Sequence, residues 1–257
     1  MINLFFAVFI FFNIYYVISI LKNDFSIVDT AWSLSFLLIY LIGLYNNNFQ
    51  ASFKIIIIGT LTTIWSLRLS GYILYRNIKL GFEDYRYKKM RQGWGDKANQ
   101  VAYFRVFILQ GLLALVIASP LYMIHSYSSN EKFGTLLDWL GLCMSLVGFL
   151  WEAIADQQKN KFKSNRNNKD KLCRDGLWKF SRHPNYFGEA LFWWGIFVLC
   201  VQQIPWYLAI IGPALINFFL LKISGVNLLE KKYEKQSEFH NYKMTTNKFI
   251  PWFPKEN

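Results

Sequence analysis

The sequence predicts an all-α integral membrane protein with about seven transmembrane helices, arranged as one domain over residues 1–257. Apolar residues make up 54% of the chain, and they fall into long blocks. The blocks hold roughly 16–24 residues each, close to the ~20 that cross about 30 Å of hydrocarbon as a helix. Lysine and arginine collect in every second connection between the blocks, as membrane topology requires. These observations exclude a single soluble core.

The first block has the features of a transmembrane helix rather than of a removable signal peptide. No lysine or arginine precedes it, and no small-residue cleavage site follows it. The second block is the shortest and is compatible with partial insertion. The third and fourth flank a basic segment, residues 76–100. The seven predicted spans are about 1–21, 30–45, 53–75, 101–124, 134–155, 185–203 and 206–223.

The last three blocks lead into or follow polar segments. The fifth continues into a lysine- and asparagine-rich stretch, residues 157–174. The sixth opens at Pro184, which suits a first helical turn because the N–H groups there lack partners. The seventh leads into a tail that begins at Lys222 and ends in an aromatic and proline-rich stretch, residues 251–254. We expect this tail to contain a helix that lies on the membrane surface.

The positive charges set the expected orientation. Of 28 lysine and arginine residues, 26 lie on one predicted side and two, Lys54 and Lys132, on the other. The positive-inside rule then places the N-terminus outside and the C-terminus in the cytoplasm, in the inner membrane of a bacterium. The net charge of +12 therefore reflects topology, and we expect no nucleic-acid partner. The three cysteines show no metal-ligand spacing, so neither a metal site nor a disulfide framework is expected.

The most informative segment is residues 181–189, Ser-Arg-His-Pro-Asn-Tyr-Phe-Gly-Glu. Arg182 and His183 stand at the positive end of an apolar helix, a position suited to a phosphate or another anion. Glu189 follows Asn185 by four residues and shares its helical face. A carboxylate within hydrocarbon is costly, so we expect Glu189 to face protein or a water-filled cavity. The segment predicts a site at the membrane surface.

Other polar residues lie at the cytoplasmic ends of the predicted spans. Asp29 opens the second, Arg68 lies near the end of the third, and Glu152 and Asp156 share one face of the fifth. Each has a structural alternative, since an arginine can snorkel, an aspartate can cap a helix and a glutamate can pair with a lysine. Their clustering with Glu189 on one side favours a cavity that opens to the cytoplasm.

The same segment carries a resemblance to a known family. The segment resembles the C-terminal signature of the steroid 5α-reductase superfamily through the residues Arg182-His183-Pro184-Asn185-Tyr186-x-Gly188-Glu189, followed by Trp193. Within that superfamily the chain most resembles the bacterial subfamily of uncharacterised membrane proteins. The resemblance runs from about residue 25 to 254. Further matches are Asp29-x-x-Trp32, Trp65-x-x-Arg68-Leu69, Glu83-Asp84-x-Arg86-Tyr87, Gln110, Asp156 and Phe249-Ile250-Pro251-Trp252-x-Pro254.

The resemblance implies a membrane reductase that binds NADPH in a cytoplasm-facing cavity formed by about residues 101–257. In such enzymes hydride passes from the nicotinamide to the β-carbon of an enone, while an acidic group polarises the carbonyl. The implied partners are a lipophilic small-molecule substrate and membrane lipid, and the oligomeric state is open. The implied catalytic residues are Asp29 and Glu189, and the implied cofactor-binding residues are Arg68, Asp156, Lys163, Lys171, Arg182, His183, Asn185, Tyr186 and Tyr233.

Two positions depart from the steroid reductases, which hold the substrate ketone with a tyrosine and a glutamate. The tyrosine position is Trp65, which cannot protonate an enolate, and the glutamate position falls near Asp29, one methylene shorter. Tyr72, Tyr85 and Tyr87 are alternative sources of a hydroxyl.

Two other functions stay open. Isoprenylcysteine and phospholipid methyltransferases, which bind S-adenosylmethionine, have a similar Arg-His-Pro-x-Tyr-x-Gly block. Glu189 directly after Gly188, Asp156 in the fifth span and two additional N-terminal spans favour the reductase. A non-enzymatic lipid-binding membrane protein is the third possibility, and Trp65 is the residue that points to it.

Overall fold

The computed structural model describes residues 2–81, 83–127, 133–168, 171–223 and 225–255. Within those ranges all regular structure is helical, as the sequence predicts. The contacts divide the chain into two compact units. The first comprises Met1–Phe133 and Gln203–Ile211, and the second Gly134–Gln202 and Gly212–Asn257. The single domain expected from the sequence stays a prediction.

The first unit begins with seven helices. Their starts and ends follow local signals: the Ser52 hydroxyl caps one helix by accepting the Ile55 N–H at 3.4 Å, and Gly81 ends the same helix with φ +68°, which suits glycine. A π-helical segment, Tyr103–Ile108, joins the fifth helix to the sixth. The helices are α1 (Ile2–Lys22), α2 (Val28–Asn46), α3 (Phe53–Leu80), α4 (Tyr85–Trp94), α5 (Ala98–Ala102), α6 (Leu109–Ile117) and α7 (Ser119–Ser126).

The second unit begins with two long helices, α8 (Leu136–Ser164) and α9 (Pro184–Cys200). Thr135 and Asp138 cap the start of α8 reciprocally, which satisfies N–H groups that have no partner within the helix. The chain continues through α10 (Trp206–Ala209), which belongs to the first unit, and α11 (Ile211–Phe218), which begins at the boundary. A π-helical segment, Phe219–Ile223, precedes α12 (Val226–Tyr233) and α13 (Ser237–Thr245).

Six helical stretches of the described chain are long and apolar enough to cross a membrane, so the architecture is that of a polytopic membrane protein. The predicted count of seven is not established. The predicted span 185–203 corresponds to α9, which has 17 residues against the ~20 of an average crossing. The six stretches are Ile2–Lys22, Phe25–Asn46, Phe53–Lys79, Tyr85–Ile117, Leu136–Ser164 and Trp206–Lys231.

The fourth predicted span, residues 101–124, overlaps the apolar part of the helical stretch Tyr85–Ile117, because α4 at the start of that stretch is polar. The predicted span also continues past a break in the helix. The helix stops at Ala118, and a new one starts with Pro120 in its first turn. A proline inside a continuous helix would remove a hydrogen bond and clash with the preceding turn, so Pro120 explains the break.

The α8–α9 pair is antiparallel and closely packed. A Cβ placed on Gly148 would lie 2.4 Å from the backbone nitrogen of Phe192, and one placed on Gly188 would lie 2.5 Å from that of Glu152. Small residues allow helices in a membrane to approach to this distance. The contact brings the first turns of α9 beside the end of α8 that carries Glu152 and Asp156.

Candidate functional site

The turn before α9 is held by the C-terminal tail. The Ser181 hydroxyl donates to the carbonyl of Phe249 at 2.8 Å and accepts the His183 N–H at 3.1 Å. The Arg182 N–H donates to the carbonyl of Asn247 at 2.9 Å. His183 is the residue that immediately precedes α9, and Pro184 is the first residue of the helix. The predicted helix start is therefore present.

Arg182 is buried, and its guanidinium contacts the tail. Its Nε donates to Glu230 Oε1 at 2.9 Å, while Nη1 donates to the carbonyls of Thr246 at 2.5 Å and Lys243 at 3.3 Å. A guanidinium with several fixed acceptors is geometrically constrained. We predicted Arg182 to contact the cofactor, and its observed partners give it the geometry of a positioning residue.

His183 is buried beside the same carboxylate. Its Nε2 lies 3.3 Å from Glu230 Oε1, and its ring stacks on Tyr186 with centroids 5.7 Å apart. Burial lowers the pKa of His183, an effect that the hydrogen bond to Glu230 opposes but does not cancel. The ring is therefore neutral at neutral pH, with one proton directed at the carboxylate acceptor.

Asp156 and Asn185 meet across the α8–α9 contact. Asn185 Nδ2 donates to Asp156 Oδ1 at 3.2 Å, and Asp156 is 5% exposed. The side-chain oxygen of Asn185 is buried without a hydrogen-bond partner in the described part of the chain. Glu189 lies one turn further along α9 and is partly buried. Asp156 and Asn185, both predicted to bind the cofactor, are thus in direct contact.

A small pocket opens beside this turn. Its volume is about 40 Å³, enough for a few water molecules. Among the described residues that line it, Glu230 is the one carboxylate, and Arg182 and His183 already contact that carboxylate. The lining is Lys159, Phe162, Lys163, Lys171, Leu172, Cys173, Trp178, Arg182, His183, Leu229, Glu230, Tyr233, Phe239 and Tyr242.

The pocket collects five of the residues predicted to bind the cofactor, namely Lys163, Lys171, Arg182, His183 and Tyr233. Lys163 and Lys171 are exposed at its mouth. Other members had not been singled out for the site. Lys159 Nζ lies 4.3 Å from the centre of the Trp178 ring, and Glu230, Phe239 and Tyr242 come from the tail. No local motif marks the tail residues, since only the folded tail brings them to the loop.

The remaining predicted residues belong to the first unit. Asp29 accepts hydrogen bonds from Arg86 Nη2 at 2.7 Å and from the Tyr87 hydroxyl at 2.5 Å. Gln110 Nε2 donates to the Tyr87 oxygen at 3.4 Å. The guanidinium of Arg68 lies 5.9 Å from the centre of the Tyr72 ring.

The hydrogen bonds of Asp29 bear on its predicted role as the acid that polarises the substrate carbonyl. A carboxylate that is paired with an arginine acts as an acceptor, so the hydroxyl of Tyr87 holds the proton of the pair that it forms with Asp29. The role of Asp29 as a carbonyl-side acid stays a prediction. Trp65 is fully buried and packs edge-on against Phe36, with ring centroids 5.6 Å apart, which is the environment of a core residue.

Comparison with known proteins identifies the family. The family model described as "Protein of unknown function (DUF1295)" matches residues 15–246, and the chain belongs to this family. A protein of the fission yeast Schizosaccharomyces pombe, described as uncharacterised, is 32% identical over 88% of this chain and 70% of its own length. No solved structure matches the chain.

Proposed function

We propose that this member of the DUF1295 family is an NADPH-dependent membrane reductase of an activated carbon–carbon double bond in a lipophilic substrate, similar in chemistry to the steroid 5α-reductases. The observation that carries the proposal is the charge of the pocket in the second unit. Lys159, Lys163 and Lys171 line it, and its single carboxylate, Glu230, is already paired. A cofactor with several phosphate charges suits such a lining.

In this proposal residues of the second unit hold the cofactor at its two ends. Lys163 and Lys171 are exposed at the pocket mouth and would hold the phosphates. Asn185, held by Asp156 at 3.2 Å, has a buried side-chain oxygen suited to an amide or hydroxyl donor. When bound, NADPH supplies hydride to the substrate.

The pocket must widen for a ligand of this size. Its volume of about 40 Å³ is far below the ~300 Å³ of the smallest common ligand pockets. Five lining residues from the tail, Leu229, Glu230, Tyr233, Phe239 and Tyr242, form one wall. In this proposal the tail moves outward when the cofactor binds.

The membrane arrangement is part of the proposal. The charge distribution, with 26 of 28 lysine and arginine residues on one side, supports seven crossings with α9 included, an N-terminus outside and a C-terminus in the cytoplasm. In this arrangement the pocket lies on the cytoplasmic side of the inner membrane of a bacterium.

Ligand-dependent thermal stabilisation of the purified protein tests the function, with NADPH, NADH and S-adenosylmethionine compared. A ligand at about 100 times its dissociation constant adds about 2.7 kcal/mol. We expect a shift with NADPH that Lys163→Ala and Lys171→Ala weaken. Lys161→Ala is the matched control, because Lys161 lies on the same helix but does not line the pocket. A shift that is unchanged in both pocket variants would contradict the site.

One observation favours a second candidate, a methyltransferase that uses S-adenosylmethionine. The pocket is lined by four aromatic side chains, Trp178, Tyr233, Phe239 and Tyr242, and aromatic faces attract a sulfonium as they attract other cations. A thermal shift with S-adenosylmethionine alone would favour the methyltransferase over the reductase. If none of the three ligands shifts the melting temperature, the non-enzymatic lipid-binding function becomes the better explanation.

A further inference from the structure

The C-terminal segment presents an apolar surface that the proposed function does not use. We call residues 244–255 the tail patch. Four of its large apolar side chains are strongly exposed: Met244 is 64% exposed, Ile250 65%, Trp252 66% and Phe253 74%. Their backbone is held in place, since the Trp252 N–H donates to the carbonyl of Phe180 at 3.0 Å. Exposed apolar groups on a fixed backbone indicate a contact surface.

Aromatic contacts set the level of this surface along the helices. The ring of Phe249 lies 6.0 Å from that of Phe187 in the first turn of α9, and Phe187 lies 5.9 Å from Trp151 in α8. Phe253 lies 6.1 Å from Phe180, just before the start of α9. The tail patch therefore adjoins the end of the α8–α9 pair that carries Glu152 and Asp156.

The charge of the segment is one-sided. Residues 243–255 contain three lysines and no acidic residue. Lys243, Lys248 and Lys255 are all exposed. Aromatic and aliphatic side chains interleaved with lysines are typical of segments that bind an anionic membrane surface.

We propose that the tail patch is bound to the membrane interface, with Trp252, Phe253 and Ile250 among the headgroups and acyl-chain ends and the lysines against anionic headgroups. The segment is also hydrogen-bonded to Ser181 and Arg182, so the membrane holds the end of the tail beside the turn before α9, while the pocket wall comes from residues 229–242. This inference does not rest on the proposed reductase activity.

Fluorescence quenching in lipid nanodiscs tests the proposal. The emission of Trp252 is obtained as the difference between the full-length protein and Trp252→Phe. Nanodiscs of phosphatidylcholine, with and without phosphatidylglycerol, carry a nitroxide either on the headgroup or deep in the acyl chain. We expect the headgroup nitroxide to quench Trp252 more than the deep one does, and phosphatidylglycerol to increase that quenching. The combined variant Lys243→Gln, Lys248→Gln and Lys255→Gln should abolish the increase.

Trp206→Phe provides the matched control, because Trp206 is 63% exposed and belongs to the other unit. Its difference emission should be insensitive to phosphatidylglycerol and to the three lysine substitutions. Two results would overturn the proposal. One is efficient quenching of Trp252 by aqueous iodide with none from the headgroup nitroxide. The other is headgroup quenching that neither phosphatidylglycerol nor the lysine variant changes. Since no cofactor is present, neither result depends on the reductase proposal.

Discussion

Arg182 links the start of α9 to the C-terminal segment through both its backbone and its side chain. Its N–H reaches Asn247, and its guanidinium reaches Glu230, Thr246 and Lys243. The side chains of Arg182 and Glu230 are 7% and 12% exposed, so neither charge has an alternative partner in bulk water. A lysine has no planar fork of donors and would not reproduce this set of bonds.

Removal of one partner should therefore be more harmful than removal of both. We expect Arg182→Met or Glu230→Leu alone to lower the free energy of unfolding by about 3 kcal/mol, because each leaves a largely buried charge without its oppositely charged partner. The double variant should lose less than the sum of the two. Chemical denaturation in detergent measures the three values. Lys179→Met, on the same loop but exposed, is the control, and additive losses would contradict the coupling.

The buried His183 should make the stability dependent on pH. Burial lowers its pKa in the folded protein, so between that value and the ~6.5 of an ordinary histidine the unfolded chain binds more protons. Its contribution to stability is complete above about pH 6.5 and is lost as the pH falls below that value. Melting curves from pH 8 to pH 5 should show a decline that His183→Gln reduces. His240→Gln should leave the decline unchanged, because His240 is exposed, and a decline equal in all three proteins would refute the assignment.

At the residue scale, the sequence predicted the site residues that belong to one local motif better than the residues that the fold brings to the site from distant parts of the chain. The positions of His183, Pro184 and Asn185 follow from the motif, and Lys163 and Lys171 follow from a basic stretch. The pairing of Arg182 with Glu230 depends on the path of the tail, about 48 residues later, which no local periodicity encodes. For the same reason the Arg86 and Tyr87 partners of Asp29 were not predicted.

At the level of elements, the α8–α9 pair supports the geometry of the pocket. The glycines on its contact face let the backbones approach until Glu152 faces Gly188 and Asp156 reaches Asn185. The small residues on the contact face therefore allow Asp156 and Asn185 to form a hydrogen bond between two otherwise apolar helices.

A side chain on this contact face should separate the two helices. We expect Gly148→Ala to destabilise the protein by about 1–3 kcal/mol, the usual cost of overpacking, because its Cβ would meet backbone atoms at 2.4 and 2.7 Å. Gly71→Ala is the matched control on α3, where nothing lies within 4 Å, and it should be neutral or stabilising by up to about 1 kcal/mol. Equal melting temperatures for the two variants would show that the contact is looser than described.

Helix positions were predicted well where apolar periodicity is uninterrupted and less well where the chain changes its course. The spans in α1, α2 and α3 were found near their observed places. The fourth was extended past the end of α6 because apolar content alone does not register the break at Pro120. α8 runs on to Ser164, since lysine and glutamine sustain a helix beyond its apolar part.

On the scale of the whole molecule, the number of crossings decides which side each polar segment faces. Six long apolar stretches plus α9 give an odd number and place the termini on opposite sides, whereas six alone place them on the same side. The distribution of charge favours the odd number.

Reporter fusions test the topology directly. We expect a fluorescent protein fused after residue 255 to mature in the cytoplasm, and alkaline phosphatase inserted at residues 203–205 to be active outside. An insertion at residues 171–175 should behave like the C-terminal fusion. The matched control is an insertion at residues 47–50, which is also predicted to lie outside. Inactive phosphatase at residues 203–205 would show that α9 does not cross.

The short length of α9 has a consequence for the surrounding lipid. Seventeen residues extend about 26 Å at 1.5 Å per residue, a few ångströms less than the average hydrocarbon layer, and the glycine contact fixes α9 beside its longer neighbour. In the proposed topology α9 crosses the membrane, and the bilayer then thins around this edge of the molecule, at a fraction of a kcal/mol per ångström of mismatch. That thinning would draw headgroups toward the pocket. The protein would be most stable in membranes with shorter acyl chains, so bilayer thickness would help to determine where in a cell it resides.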